Sequence, residues 1–172
     1  DTTAEKLAEL KVLHPEIEGF SITAGNSSGT NDACAAVAVV DHAYAADKGL
    51  DVMATVKAWG AVGVAPRDTG LGGVEVIGKV LGRAGLKPSD VALWEINEAF
   101  ASVPIAACHR YGIDEELVNF SGSGCSLGHP IAASGARMVT TLVYELRRRG
   151  GGIGMAAMCA GGGQGGAVII EV

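Results

Sequence analysis

Val91-Ala92-Leu93-Trp94-Glu95-Ile96, followed at once by Asn97-Glu98-Ala99-Phe100, decides how the chain is read. Six residues with a single charge form a run too short for a helix and too apolar for a half-exposed strand. Such a run is a strand covered on both faces. Upstream, Leu71 to Ala84 is predicted helical, with Gly85 as its C-cap and Pro88 just beyond. Downstream, Glu98 to Tyr111 is predicted helical as well. A buried strand between two helices is the repeating unit of an α/β fold.

The alternation extends to both ends. Phe20 to Thr23 is expected as a short strand. A helix capped by Asn31 or Asp32 follows, running to about Asp47, where Gly49 stops it. Val52 to Val64 and Leu117 to Phe120 read as strands, and Pro130 opens the first turn of a helix reaching Arg149. Ile153 to Met158 and Ala167 to Val172 form an antiparallel hairpin around a glycine-rich turn. The order βαβαβαβ, then αββ, predicts one α/β domain with a mixed, mostly parallel sheet and helices on both faces.

Composition narrows the function. With 48% apolar residues, a chain of 172 can bury a sizeable core. Twenty-six glycines against five prolines point to turns and close backbone approaches rather than to a disordered tract. A net charge of −6 argues against general nucleic-acid binding. The one basic run, Arg147-Arg148-Arg149, is expected in the last turn of a helix. Four cysteines without a C-x-x-C pair give no zinc or redox motif, no metal site is expected, and the unpaired thiols suggest a reducing, cytoplasmic compartment. Asp1 to Lys6 has no signal-peptide features, and charge or glycine breaks every long apolar stretch, so no membrane span is expected.

Three motifs end strands and open turns: Asn97-Glu98-Ala99-Phe100, Gly128-His129-Pro130 and Cys159-Ala160-Gly161-Gly162-Gly163. Strand ends are where α/β proteins place reactive groups. His129 precedes a helix, whose positive dipole end favours a neutral imidazole that accepts a proton at one nitrogen and donates from the other. Cys159 beside glycines offers a thiol, and the Gly161 N–H is a candidate oxyanion donor. The Asn97 amide can hold a water or a carbonyl and can also cap the helix after it. The bland alternatives are a turn histidine, a packed cysteine and a plain cap. No activated nucleophile accompanies these groups: Cys34 and Cys108 fall in predicted helices, and Cys125 in the glycine turn before His129. The chain reads as half of an enzyme.

Other patterns compete. Gly25-Asn26-Ser27-Ser28-Gly29 fits a hydrolase elbow, with Asp90 or Asp114 and then His129 later in the chain, so a serine hydrolase using Ser27 is one alternative. A non-catalytic binding or assembly subunit is another. Gly73 to Lys79 matches a phosphate-loop spacing but has Val80 where a magnesium-binding hydroxyl belongs. Gly161-x-Gly163-x-x-Gly166 is followed by a strand rather than by the helix a dinucleotide site needs.

Taken together, the motifs resemble the C-terminal half of a thiolase, an acyl-CoA C-acyltransferase. Asn97-Glu98-Ala99-Phe100, Gly-His-Pro followed by Ser134-Gly135-Ala136-Arg137, and the glycine run after Cys159 stand in the family's order, and Thr23 to Asp32 resembles its opening signature. The resemblance covers essentially residues 1–172. It implies an N-terminal half, absent from this sequence, that carries a nucleophilic cysteine and the loop domain. It implies two-step thiolysis of a 3-ketoacyl-CoA, or the reverse condensation of acetyl-CoA, as in fatty-acid β-oxidation or lipid synthesis. In that scheme His129 activates the nucleophile, Asn97 positions a water, Cys159 is the acid/base and the Gly161 N–H an oxyanion donor. Ser28, Ala99 and Phe100 match positions lining the pantetheine tunnel. Coenzyme A is a substrate, no other cofactor is implied, and the complete enzyme is expected to be a homo-oligomer. Cys159 sets the chain apart from ketoacyl synthases, and Asn97 from sterol-carrier-type thiolases. Ala33-Cys34 in place of Gly-Ala, and a looser turn over residues 63–70, depart from the family's pattern.

Overall fold

The computed structural model describes residues 2–172. Four strands form its sheet: β1 (Thr55–Gly63), β2 (Leu93–Ile96), β3 (Ile153–Ala160) and β4 (Gln164–Glu171), in the order β1-β4-β3-β2. β2 and β3 are parallel, with Ile96 opposite Ala157, whereas β3–β4 and β1–β4 are antiparallel. The sheet is mixed, but the expected parallel majority is corrected to one parallel pair against two antiparallel ones. The terminal hairpin inserts β4 between β3 and β1, so β1 has only an antiparallel neighbour.

Helices cover both faces, as the pattern predicts. α3 (Thr69–Ala84) and α4 (Ser102–Tyr111) lie on one face and α5 (Ile131–Arg149) on the other. Successive side chains of a strand alternate between faces. Accordingly Met155, Ala157 and Cys159 join the α3/α4 core, while Ala156 and Met158 join the α5 core. α3 lies so close to the sheet that a Cβ on Gly165 would overlap the Gly72 carbonyl, so only glycine fits that crossing. Gly85 and Gly150 end α3 and α5 in the left-handed region, at φ +69° and +92°. The arginine run does occupy the last turn of α5, pairing with Asp51 and Glu145.

Side chains engage backbone groups on both sheet edges. On β1, Lys79 and Arg83 from α3 donate to the carbonyls of Ala61 and Trp59 at 2.7 and 2.5 Å. Beside β2 the expected strand over residues 117–120 is instead a 3₁₀ turn (Glu115–Leu117) and a single bridge from Val118 to Trp94. Asn119, at φ +52°, stands in for a strand: its side-chain amide both accepts from and donates to the Ile96 backbone at 2.8 Å. Asn tolerates that conformation better than most residues.

The N-terminal third departs further from expectation. It begins with a short α1 (Ala4–Ala8), and the strand expected at 20–23 is a lone bridge between Thr23 and Val12. The helix expected from Asn31 is only α2 (His42–Asp47), capped by Asp41. Residues 33–41 have helical patterning but no apolar surface to pack against: Val37, Val39 and Val40 are exposed. Helices of this length owe most of their stability to such packing. α4 starts at Ser102 rather than Glu98, because Phe100 bridges Ser27 and Ala101 N–H donates to Asn26 O, which keeps residues 98–100 out of the helix. Asn97 is therefore not a helix cap. Pro130 is the N-cap of α5 rather than its first residue. No described helix is long and apolar enough to cross a membrane.

Candidate active site

Because β2 and β3 are parallel, Asn97 and Cys159 stand at the same edge of the sheet, the edge where α/β proteins present functional groups. Asn97 extends β2 by one residue, its N–H donating to Ala157 O at 2.9 Å, and its side chain is fully buried. Its Nδ2 lies 3.4 Å from His129 Nδ1 and 3.3 Å from Nε2. Two of the three groups singled out by the sequence are therefore in contact, 32 residues apart in the chain.

The imidazole is held from several sides. The His129 N–H donates to Asn31 Oδ1 at 3.0 Å. Gly128, at φ +108°, packs where any Cβ would strike the Asn31 side chain. His129 Nδ1 lies 2.6 Å from Ser134 Oγ, whose own proton is donated to Pro130 O at 3.1 Å. With the Oγ proton assigned to Pro130 O, Oγ accepts from the ring. Nδ1 therefore carries the hydrogen and Nε2 the lone pair. Burial, and secondarily the Arg137 charge, hold the imidazole below its usual range. At neutral pH this leaves the imidazole neutral, with Nε2 as its basic nitrogen.

Cys159 is buried among the α3/α4 side chains, and burial pushes its thiol up, with a backbone hydrogen bond opposing. It is protonated at neutral pH and bonds to neither Asn97 nor His129: it ends β3 on the α3/α4 side of the sheet, whereas those two face α5, so the structure brings together the amide and the imidazole but not the thiol. Gly161 is exposed in the β3–β4 turn. Ser28, Ala99 and Phe100 come together: the Ser28 N–H donates to Ala99 O at 3.0 Å, and Phe100 bridges Ser27 with its ring partly exposed.

Sequence reasoning missed the residues that support this pair. Glu95 is fully buried, and its Oε2 lies 2.5 Å from Arg137 Nη1. Burial pushes its carboxyl up to about 7, with Arg137 opposing. Glu95 Oε1 and Asn97 Oδ1 are buried without a donor. Glu98 pins the glycine-rich turn, accepting from Asn119 Nδ2 at 2.9 Å and from Cys125 N at 3.1 Å. The available signal was a charge inside an otherwise apolar strand, since such a charge needs a partner.

The hydrolase arrangement is absent among the described residues. Ser27 Oγ donates to Thr23 O, Asp90 accepts from Lys87 N, and Asp114 accepts from Glu116 N. His129 bonds Ser134 instead. No three His, Cys, Asp or Glu residues among those described converge as metal ligands. A groove of about 540 Å³ lined by Lys87, Trp94, Tyr111 and Asp114 opens at the opposite end of β2, and no expected site residue lines it.

The fold is that of an α/β chain, and at this end of its sheet a buried amide touches a partly buried imidazole. Residues 50–172 match the family described as thiolase, C-terminal domain. The chain is 41% identical over 169 residues to the acetyl-CoA acetyltransferase of Shinella zoogloeoides, covering 98% of this chain and 43% of that protein. It superposes on the Bacillus anthracis acetyl-CoA acetyltransferase with a TM-score of 0.89 at 41% identity, and on human mitochondrial 3-ketoacyl-CoA thiolase in complex with CoA with 0.88 at 35% identity. Each superposition covers 99% of this chain and 43% of the other. The chain belongs to the thiolase family, and it spans less than half the length of these relatives.

Proposed function

We propose that this chain supplies the acid–base half of a thiolase, in an acyl transfer completed by an N-terminal half with the nucleophilic cysteine. His129 Nε2 takes the proton of that thiol. The thiolate attacks C3 of a 3-ketoacyl-CoA, the C2–C3 bond breaks, and its electron pair passes into the enolate of acetyl-CoA. Cys159 gives its proton to C2, and acetyl-CoA leaves. A second CoA thiol then attacks the acyl-enzyme, its proton returning to the Cys159 thiolate, and the nucleophile recovers its proton from His129. Neutral donors suit an enolate, whose charge develops only in the transition state. Asn97, through a water, and the Gly161 N–H would meet the two oxyanions, and Ser28, Ala99 and Phe100 would line the path of the CoA arm.

The neutral, Nδ1-protonated imidazole of His129, with its basic nitrogen free of any strong bond, carries this reading. The relatives' names support the substrate class, since they are acetyl-CoA acetyltransferases and a 3-ketoacyl-CoA thiolase bound to CoA. The exposed apolar residues Val37, Val39, Val40 and Ile131 favour a covering partner, which we assign to the N-terminal half, with the complete enzyme a homo-oligomer. Four free cysteines suit a reducing compartment.

Thiolysis of acetoacetyl-CoA tests the proposal. The complete protein is expected to be active, the 172-residue chain alone inactive, and Cys159→Ala in the complete protein defective. Full activity of Cys159→Ala would instead mark the chain as a binding or assembly subunit.

A further inference from the structure

A buried ion pair lies beside the amide–imidazole contact. Glu95 and Asn97 are two apart on the line of β2 and share a face. Ser134 and Arg137 are three apart on α5 and share a face. These faces meet twice, once through Ser134–His129–Asn97 and once through Arg137–Glu95 at 2.5 Å. Arg137 Nη2 also reaches Ser123 Oγ at 3.5 Å, and Ser123 O accepts from Ser126 N and Leu127 N in the turn that leads into His129. The pair therefore touches all three segments that carry the site: β2, the glycine-rich turn and α5.

Stability gives little reason for this arrangement. Apolar residues of equal volume often serve a core as well as a buried pair does, and Glu95 Oε1 is left without a donor. We propose that Glu95 and Arg137 are positioning residues that hold His129 in its Nδ1–H form against Asn97. The kinetic part of this role rests on the thiolytic reading above, and the imidazole part does not. Glu98, the other charged group bearing on Glu95, is held by Asn119 and the Cys125 N–H and stays unchanged in the test.

The experiment compares Glu95→Gln, Arg137→Met and the double variant Glu95→Leu/Arg137→Met in the complete protein. It reads the imidazole ¹⁵N shifts of His129, assigned by their loss in His129→Gln, together with kcat and KM for thiolysis of acetoacetyl-CoA. Each single variant should move the shifts from the Nδ1–H pattern toward that of free imidazole. Each should also lower kcat about 10- to 100-fold, as small misplacements of reacting groups do, with KM changed by less than about threefold. The double variant should regain the urea midpoint but not the wild-type shifts. A double variant with wild-type imidazole shifts and kcat overturns the proposal. Should the double variant fail to fold, Arg137→Lys decides, since it keeps the charge and loses the planar fork. Displaced shifts then support the role and unchanged shifts overturn it. Absence of thiolysis in the wild-type protein would remove the thiolase reading, while the imidazole shifts would still decide the positioning role.

Discussion

Residues 53–172 and residues 2–52 follow the same kind of sequence pattern and fold to very different degrees. The first stretch contains the whole sheet and both hydrophobic cores, and it nearly coincides with the part that matches the thiolase C-terminal domain. In the second, Ala45 is the one buried apolar residue among those described, and the backbone is organised by two short helices and isolated bridges. Apolar periodicity is common to both. What separates them is whether a second apolar surface exists within the chain to receive the first.

The sharpest way to break this contrast is at the α3–β4 crossing. Gly165→Val should cost about 3 kcal/mol or more, by forcing helix and sheet apart. The same change at Gly166, where an added Cβ meets nothing within 4 Å, should cost about 1 kcal/mol or less. Urea midpoints of the two variants check it, and equal midpoints would mean that the packed region is not packed where it looks tightest.

Next in size is the chemistry at its edge. His129→Gln in the complete protein should lower kcat about 10²- to 10⁴-fold, with a urea midpoint close to wild type. Because the folded pKa of His129 lies below 6.5, the acid limb of kcat/KM should also fall below pH 6.5. A limb at or above that value would place the imidazole in water rather than in a partly buried site.

Smaller again is the stability profile. Glu95 has a folded pKa of about 7 against 4.5 as the reference value. The native state thus binds more protons between those values, so this contribution is complete below pH 4.5 and is lost as pH rises through about 7. Glu95→Gln should flatten that descent in urea midpoints measured across the range. His129 acts in the opposite sense, its contribution being present above 6.5 and lost as pH falls.

The smallest effect belongs to the thin region. Val39, 79% exposed, should tolerate Asp within about 0.5 kcal/mol in this chain. The same substitution should weaken association with an N-terminal half, as sedimentation of the mixture would detect.

Legibility in the sequence followed the same divide. Helix ends at Gly85 and Arg149, the terminal hairpin and the two-faced burial were readable because local signals and tertiary packing agree there. Residues 31–41 were misread because their helical pattern has no surface in this chain to bury against. Residues 117–120 were misread because Asn119 supplies strand hydrogen bonds from a side chain, which no strand propensity encodes. His129, Asn97 and Cys159 were visible as motifs. Ser134 was visible only as part of the motif after Gly-His-Pro, and its bond to the ring was not, because a serine in the first turn of a helix ordinarily says nothing about chemistry.

The side-chain bonds on the sheet edges have a consequence for how this molecule can meet others. Trp94 O, Ile96 N and Ile96 O are all engaged by Asn119, and two carbonyls of β1 are engaged by the cations of Lys79 and Arg83. Unpaired strand borders are the usual template for fibril growth and runaway polymerisation, and here neither border offers a clean row of open backbone groups. Association through this sheet is thereby steered toward side-chain surfaces, where shape can discriminate.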